Sequence, residues 1–186
     1  MGNKVATLRN GVNVDELTAT IDAIKAKPSL AKFIFRSKAR WINRAHTQST
    51  FDSLYGAGEE HRRATPLFLE GDEPASLLGT DLAPNAAEAA LHALSCCMGV
   101  TYAYNAAAMG IDIKGLSFEL EADNNLLGFL ELDKNVRPGL STMRIKVNLE
   151  CNGTPEQVKE LHAKVSRTSP LMDTFRNPVD LQVRTN

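Results

Sequence analysis

The stretch NAAEAALHALSCCMGVTYAYNAAAMG, residues 85–110, reads as one long helix over 86–109. Alanine is the strongest helix former, and nine alanines fall between Ala86 and Ala108. Asn85 and Glu88 stand at the spacing of a capping box, and Gly110 stands where a left-handed residue closes a helix. At 1.5 Å per residue the helix is ~36 Å long. Leu91, Leu94, Met98, Tyr102 and Tyr104 are spread around its circumference, and Glu88 is its only charged residue. A surface helix keeps charge on at least one face. This one does not, so it is expected to be buried, against the rest of the fold or against a copy of itself.

Downstream, Leu116, Phe118 and Leu120 alternate with Ser117, Glu119 and Glu121. Met143, Ile145, Val147, Leu149 and Cys151 alternate with Arg144, Lys146, Asn148 and Glu150. A period of two with one apolar face marks two strands. Between them, residues 126–139 carry Gly128, Pro138 and Gly139 and read as a loop with one helical turn around Asp133. Thr154-Pro155-Glu156 opens a short helix to about Val165, and Val179, Leu181 and Val183 alternate as a closing strand.

Upstream, Val14, Leu17, Ile21 and Ile24 recur at helical spacing over 13–26, with Asn13 and Glu16 as a capping pair and Pro28 beyond the end. Phe33, Phe35 and Trp41 form one face of a half-buried strand, with Lys32, Arg36, Lys38 and Arg40 between them. Asn43-Arg44-Ala45-His46 is the expected hairpin tip and Thr47 to Tyr55 the returning strand. Residues 56–63 read as a polar loop, 66–69 as a third short strand and 71–84 as a loop. No internal repeat, low-complexity tract or linker interrupts the pattern. The expected fold class is α+β in a single domain over residues 1–186, with 1–29 as an N-terminal helical extension and 30–186 as the core.

Composition narrows the function classes. A net charge of -1 leaves no excess positive field for phosphates, so nucleic acid is not an expected partner. The longest apolar run is mostly alanine and is broken by His92, Ser95 and Asn105, so no membrane span is expected. Met1 to Ala6 shows no apolar signal run. With three cysteines, that points to a reducing compartment, the cytoplasm, in which the thiols stay free.

Cys96-Cys97 lies near the middle of the long helix. A free cysteine is often only a small core hydrophobe. Adjacent cysteines seldom bond to each other, and His46, His61, His92 and His162 share no zinc-ligand spacing with them, so neither a metal nor a cofactor is expected. Two features favour chemistry at this pair. The missing charge along the helix leaves the thiol as its most reactive group, and Arg36, Arg40, Arg44, Arg62 and Arg63 lie upstream; a guanidinium beside a thiol favours the nucleophilic thiolate. Glu88 is accounted for by the cap. His92 lies five residues before Cys97, off its helix face, so no Cys–His dyad with Cys97 is expected along the helix. Cys151 reads as core, and Tyr102 and Tyr104 as packing residues.

Ala83-Pro84-Asn85-Ala86-Ala87-Glu88, followed by Leu91-His92-Ala93-Leu94-Ser95-Cys96-Cys97-Met98, resembles the helix signature of the OsmC/Ohr family, the osmotically inducible protein C and organic hydroperoxide resistance proteins. Ala107-Ala108-Met109-Gly110-Ile111 is similar to the family's helix exit. Gly128 to Asp133 with Val136-Arg137-Pro138-Gly139 is similar to an OsmC-like subgroup, and Ser169 to Thr174 with Asn177-Pro178-Val179 to the closing segment. The likeness covers roughly residues 30–186. It implies antiparallel sheets packed around a long buried central helix, in an intertwined homodimer with two sites at the subunit interface. In such proteins a helix cysteine attacks an organic hydroperoxide, a second cysteine resolves the product as a disulfide, and an arginine and a glutamate hold the thiolate. Carried over, the attacking cysteine is Cys97, with Cys96 in the preceding small-residue position. Arg44 is the best match for the arginine, and Arg40 the next. The glutamate position falls on Ala87, with Glu88 one residue late, and the resolving position falls on Ser169.

The expected activity is therefore reduction of an organic hydroperoxide through Cys97, Arg44 and Glu88, by way of a sulfenic acid. An external thiol reductant would complete the cycle, Cys151 and Cys96 being the internal alternatives. A reading of another class is a non-catalytic dimeric scaffold that binds a small apolar ligand at the subunit interface. The expected partners are a second copy, the hydroperoxide or apolar ligand, and the reductant.

Overall fold

In the computed structural model of the chain, which describes residues 7–185, the alternation around Phe118 and Val147 becomes the longest ladder of one half of an α+β fold. In chain order the elements are β1 (Leu8–Arg9), β2 (Val12–Asn13), α1 (Val14–Ala26), β3 (Ile34–Phe35), β4 (Lys38–Asn43), β5 (His46–Gly56), β6 (Glu59–Gly71), α2 (Ala86–Ala108), β7 (Ile113–Asp123), α3 (Leu126–Phe129), β8 (Thr142–Cys151), α4 (Pro155–Thr168) and α5 (Pro170–Arg176). The expectation about a signal at Met1 to Ala6 lies outside the described residues. Two compact units are formed: a first from the chain up to Val14 together with Leu91 onward, and a second from Asp15 to Ala90.

In the first unit β7 and β8 pair antiparallel, setting Leu116 opposite Leu149, Phe118 opposite Val147 and Leu120 opposite Ile145. The other face of this ladder is solvated and charge-paired. Lys146 meets Glu119 at 2.8 Å, and Arg144 grips Asp123 through both terminal nitrogens while its Nε reaches Glu121. The apolar face needs a cover. Leu94, Met98, Tyr102 and Ala106 of α2, spaced every fourth residue, supply it together with Leu161 and Val165 of α4. The Tyr102 ring lies 5.9 Å from that of Phe118, and its hydroxyl is 2.7 Å from His162 Nδ1. Burial pushes the Tyr102 phenol above its usual range.

Gly110, at φ +78°, closes α2 as foreseen: its N–H donates to Ala107 and that of Ile111 to Ala106, a Schellman arrangement that turns the chain into β7. Asn10-Gly11 forms the tip of a β1–β2 hairpin inside the stretch expected to be a helical extension; both residues have positive φ. The Asn10 side chain donates to the Ile111 carbonyl and accepts from the Ile113 N–H, while Arg9 pairs with Asp112.

Several expectations change. Alpha2 is buried along one stripe only; Cys96, Val100 and Tyr104 on its opposite side are exposed, because one chain supplies cover for a single face. The helical turn between β7 and β8 is α3, earlier than Asp133, since Asn125 caps it through its side chain. Alpha4 runs on to Thr168, its start fixed by a Thr154–Gln157 capping box, and α5 follows it. Val179, Leu181 and Val183 form no strand: no ladder pairs with them among the described residues, and all three are exposed. Alternation records a face awaiting cover and cannot say whether the same chain provides it.

The second unit is built around β5, which pairs with β3 and then β4 along one edge and with β6 along the other, all antiparallel. Residues 59–63, expected as loop, belong to β6; their side chains are polar on both faces, so they carry no period-two signal. The hairpin tip is Arg44-Ala45, with Asn43 opposite His46 and Arg44 at φ +44°. The expected half-buried strand is two strands, β3 with Phe35 and β4 with Trp41, and these residues are 77% and 69% exposed. Beyond β6, the buried Asp72 organises the loop that leads to α2. Its Oδ2 accepts from the Thr80 hydroxyl at 2.6 Å and from the Thr80 and Leu82 N–H groups.

The Thr80 hydroxyl, more than any other group, holds the Asp72 carboxyl at about 2, below its ordinary value of 3.8. A carboxyl lowered in the folded state stabilises that state above pH 3.8, and the contribution is lost as pH falls toward 2. Asp72→Asn should therefore melt below wild type at pH 7 by several degrees, with the gap closing between pH 4 and pH 2. Thermal unfolding followed by circular dichroism at those pH values checks this. A gap that is constant with pH would refute the assignment.

Candidate functional site

Cys97 sits one residue before the buried Met98, so helical geometry sets it at the edge of the covered stripe, half-buried. What faces it is decided by Ser169-Pro170. Proline has no N–H and disfavours helical φ/ψ in the residue before it. Alpha4 therefore ends, Ser169 adopts an extended conformation (φ -71°, ψ 114°), and α5 restarts at Pro170 in a new direction. Ser169 is 1% exposed, and its N–H donates to the Val165 carbonyl. The Ser169 hydroxyl lies 3.4 Å from Cys97 Sγ, and the Leu171 N–H donates to the same sulfur at 3.5 Å. Both groups donate to a thiolate, and a hydrogen bond to an ionised acceptor is the stronger kind. The Cys97 carbonyl in turn accepts from the Thr101 hydroxyl at 2.7 Å.

The neighbouring cysteine has a different setting. Cys96 is exposed, and its sulfur lies 3.5 Å from His92 Nε2. The histidine that is off the face of Cys97 is thus one turn below Cys96. Their four-residue spacing in the sequence is the signal that places both on one helix face. Cys151 closes β8 opposite Ile113 and packs at the edge of the core.

Glu88 and Asn85 exchange hydrogen bonds. The Glu88 carboxylate accepts from the Asn85 N–H at 2.8 Å, and the Asn85 side chain accepts from the Glu88 N–H at 2.9 Å. This is the capping box in full, nine residues before Cys97, or about 14 Å along the helix axis. The five arginines considered for the thiol all belong to the second unit, whereas Cys97 belongs to the first. Arg36 is held by Glu60 through two bonds and Arg40 donates to Gln48. Arg44 is exposed at its turn, where its carbonyl accepts from the Trp41 indole. The first unit thus brings Cys97 to Ser169. The Leu171 N–H is a backbone donor that no side-chain pattern announces; the Ser-Pro pair that aims it was its only trace. Among the described residues no three His, Cys, Asp or Glu side chains are grouped to hold a metal ion, and no helix is long and apolar enough to cross a membrane.

No curated protein matches the chain in sequence. Solved structures share its fold at low identity. An OsmC-like protein from Mycoplasma pneumoniae superposes with a TM-score of 0.59 at 14% identity, over 78% of this chain and 89% of that one. An OsmC-like protein of unknown function from Vibrio cholerae gives 0.52 at 14% identity, over 76% and 92%. An organic hydroperoxide resistance protein, OsmC, from Legionella pneumophila gives 0.50 at 15% identity, over 79% and 93%. A family model described as OsmC-like protein matches residues 79–184, a span that holds Glu88, Cys97 and Ser169 but not Arg44. The chain belongs to the OsmC-like protein family.

Proposed function

We propose that this protein reduces organic hydroperoxides through Cys97 and relies on an external thiol to complete each cycle. The observation that carries the reading is the pair of donors, the Ser169 hydroxyl and the Leu171 N–H, converging on Cys97 Sγ from the α4–α5 junction. The Cys97 thiolate attacks the terminal oxygen of ROOH, the O–O bond breaks, and the alkoxide leaves as ROH after taking a proton. Cys97 is left as a sulfenic acid. Ser169 stands where a resolving cysteine would have to stand, and a hydroxyl forms no disulfide. A free thiol then condenses with the sulfenic acid, releasing water. A second thiol attacks the mixed disulfide and returns Cys97 as thiol, with the reductant oxidised to its disulfide. A reducing cytoplasm would supply that thiol. Arg44 and Glu88 are proposed as supporting residues on the strength of the family resemblance alone. The chain is proposed to act as a homodimer, since α2 and the second unit's sheet leave Val100, Tyr104, Phe35 and Trp41 exposed. The scaffold reading, a dimer binding a small apolar ligand at its interface, is favoured by Glu88 being committed to its cap and by Ser169 replacing a second thiol.

In a peroxide-consumption assay with a small dithiol reductant, wild type should turn over and Cys97→Ser should fall to background, with a dimedone adduct on Cys97 in wild type alone. Equal, negligible rates would leave the scaffold reading. Unchanged rates in Arg44→Ala and Glu88→Gln would remove those two residues from the site. Ser169→Cys should trap the oxidised state: one equivalent of hydroperoxide should consume two thiols and join the introduced cysteine to Cys97, as peptide mapping would show. Persistence of the dimedone-reactive sulfenic acid in that variant would contradict the geometry. For the dimer, light scattering should give twice the chain mass for wild type and the chain mass for Val100→Glu; a monomeric wild type removes it.

A further inference from the structure

A cavity of about 460 Å³ lies in the first unit beside the seam between α2 and α5, a size usual for small-molecule sites. Its floor is apolar, made by Leu94 of α2, Ile145 of β8, and Met172 and Phe175 of α5. Two arginines are among the residues that line it, Arg137 from the loop before β8 and Arg176 from the last turn of α5. None of the residues lining it is acidic. Arg9 and Arg144 in the same unit are neutralised by carboxylates. Arg137 has no such partner among the described residues, and Arg176 donates only to neutral acceptors, the Ser166 carbonyl at 2.7 Å and hydroxyl at 3.1 Å.

We propose that this cavity binds a single-chain alkyl carboxylate, with the tail on the apolar floor and the head between Arg137 and Arg176. A carboxylate matches the planar fork of a guanidinium with two parallel hydrogen bonds. An alkyl tail takes the floor out of water. A neutral apolar ligand would leave both cations unmatched, and a small inorganic anion would leave the floor wet; the amphiphile satisfies both halves. The site adjoins Cys97 without including it. Leu94 lies one turn before Cys97 on α2, and Met172 follows Leu171, whose N–H reaches the sulfur. Binding here uses no step at the thiol, so it stands or falls separately from the peroxide chemistry.

Calorimetric titration of the delipidated protein with dodecanoate, kept below micelle formation, tests the proposal. Saturable binding of one dodecanoate per chain is expected, weakening as salt is raised. Cys97→Ser should bind as wild type does. Arg137→Gln should weaken binding by about five- to tenfold, and the double variant with Arg176→Gln should weaken it further. Because Arg176 also ties α5 to Ser166, Arg137→Gln is the decisive variant, since Arg137 makes no hydrogen bond or ion pair among the described residues. Three results would overturn the proposal: no saturable binding of dodecanoate, 1-dodecanol binding as tightly, or Arg137→Gln binding unchanged. Tighter, arginine-dependent binding of dodecyl phosphate would overturn the choice of a carboxylate.

Discussion

Leu94, Met98, Tyr102 and Ala106 form a line of side chains on α2 that water would solvate poorly, and the apolar face of the β7–β8 ladder is in the same position. Each is the other's cover. Alpha4 closes the remaining side with Leu161 and Val165, and the Schellman turn at Gly110 sets the angle at which α2 hands the chain to β7. The N-terminal hairpin fastens that turn through Asn10 and Arg9. Remove the stripe, and neither the ladder nor α4 retains a reason to lie where it does.

The chemistry inherits its geometry from this burial. Cys97 is placed one position off the stripe, so it is held against the core's edge and not inside it. Once α4 is docked through Val165, the Ser169 N–H completes α4 while Pro170 forbids its continuation, and the chain can only restart as α5 across the face that carries the thiol. Cys97 thus meets a buried hydroxyl and a backbone N–H from a segment 72 to 74 residues away. The same docking of α5 makes the cavity with its two arginines, so thiol and cavity are consequences of one packing event.

The second unit works under a different constraint. Its strands β3, β4 and β6 are joined by antiparallel ladders to β5, but apolar residues on the sheet are left open, as is one side of α2. A buried carboxylate, Asp72, carries the structural role there by tying down the loop that enters α2. Exposed apolar side chains on that sheet, Phe35 and Trp41 among them, are the observation behind the proposed homodimer.

Local order was legible without coordinates. The extent of α2, its Asn85–Glu88 cap, its Gly110 stop, the two strands flanking Phe118 and Val147, and the Arg44 turn all follow from short-range periodicity and capping, which neighbouring residues decide among themselves. The family likeness could also be read from motifs in order along the chain. What lay beyond the sequence were the relations that depend on which surfaces meet. Residues 59–63 gained strand conformation only by pairing with β5, and residues 179–183 lost their expected strand for want of a neighbour. Ser169, which holds the position of the resolving cysteine, lies with its hydroxyl 3.4 Å from Cys97 Sγ, a contact between residues 72 apart that no local pattern could foretell. Periodicity tells each segment which face to hide. Only the folded chain, by bringing α5 back across α2, decides what that face is hidden against and which atoms meet the sulfur.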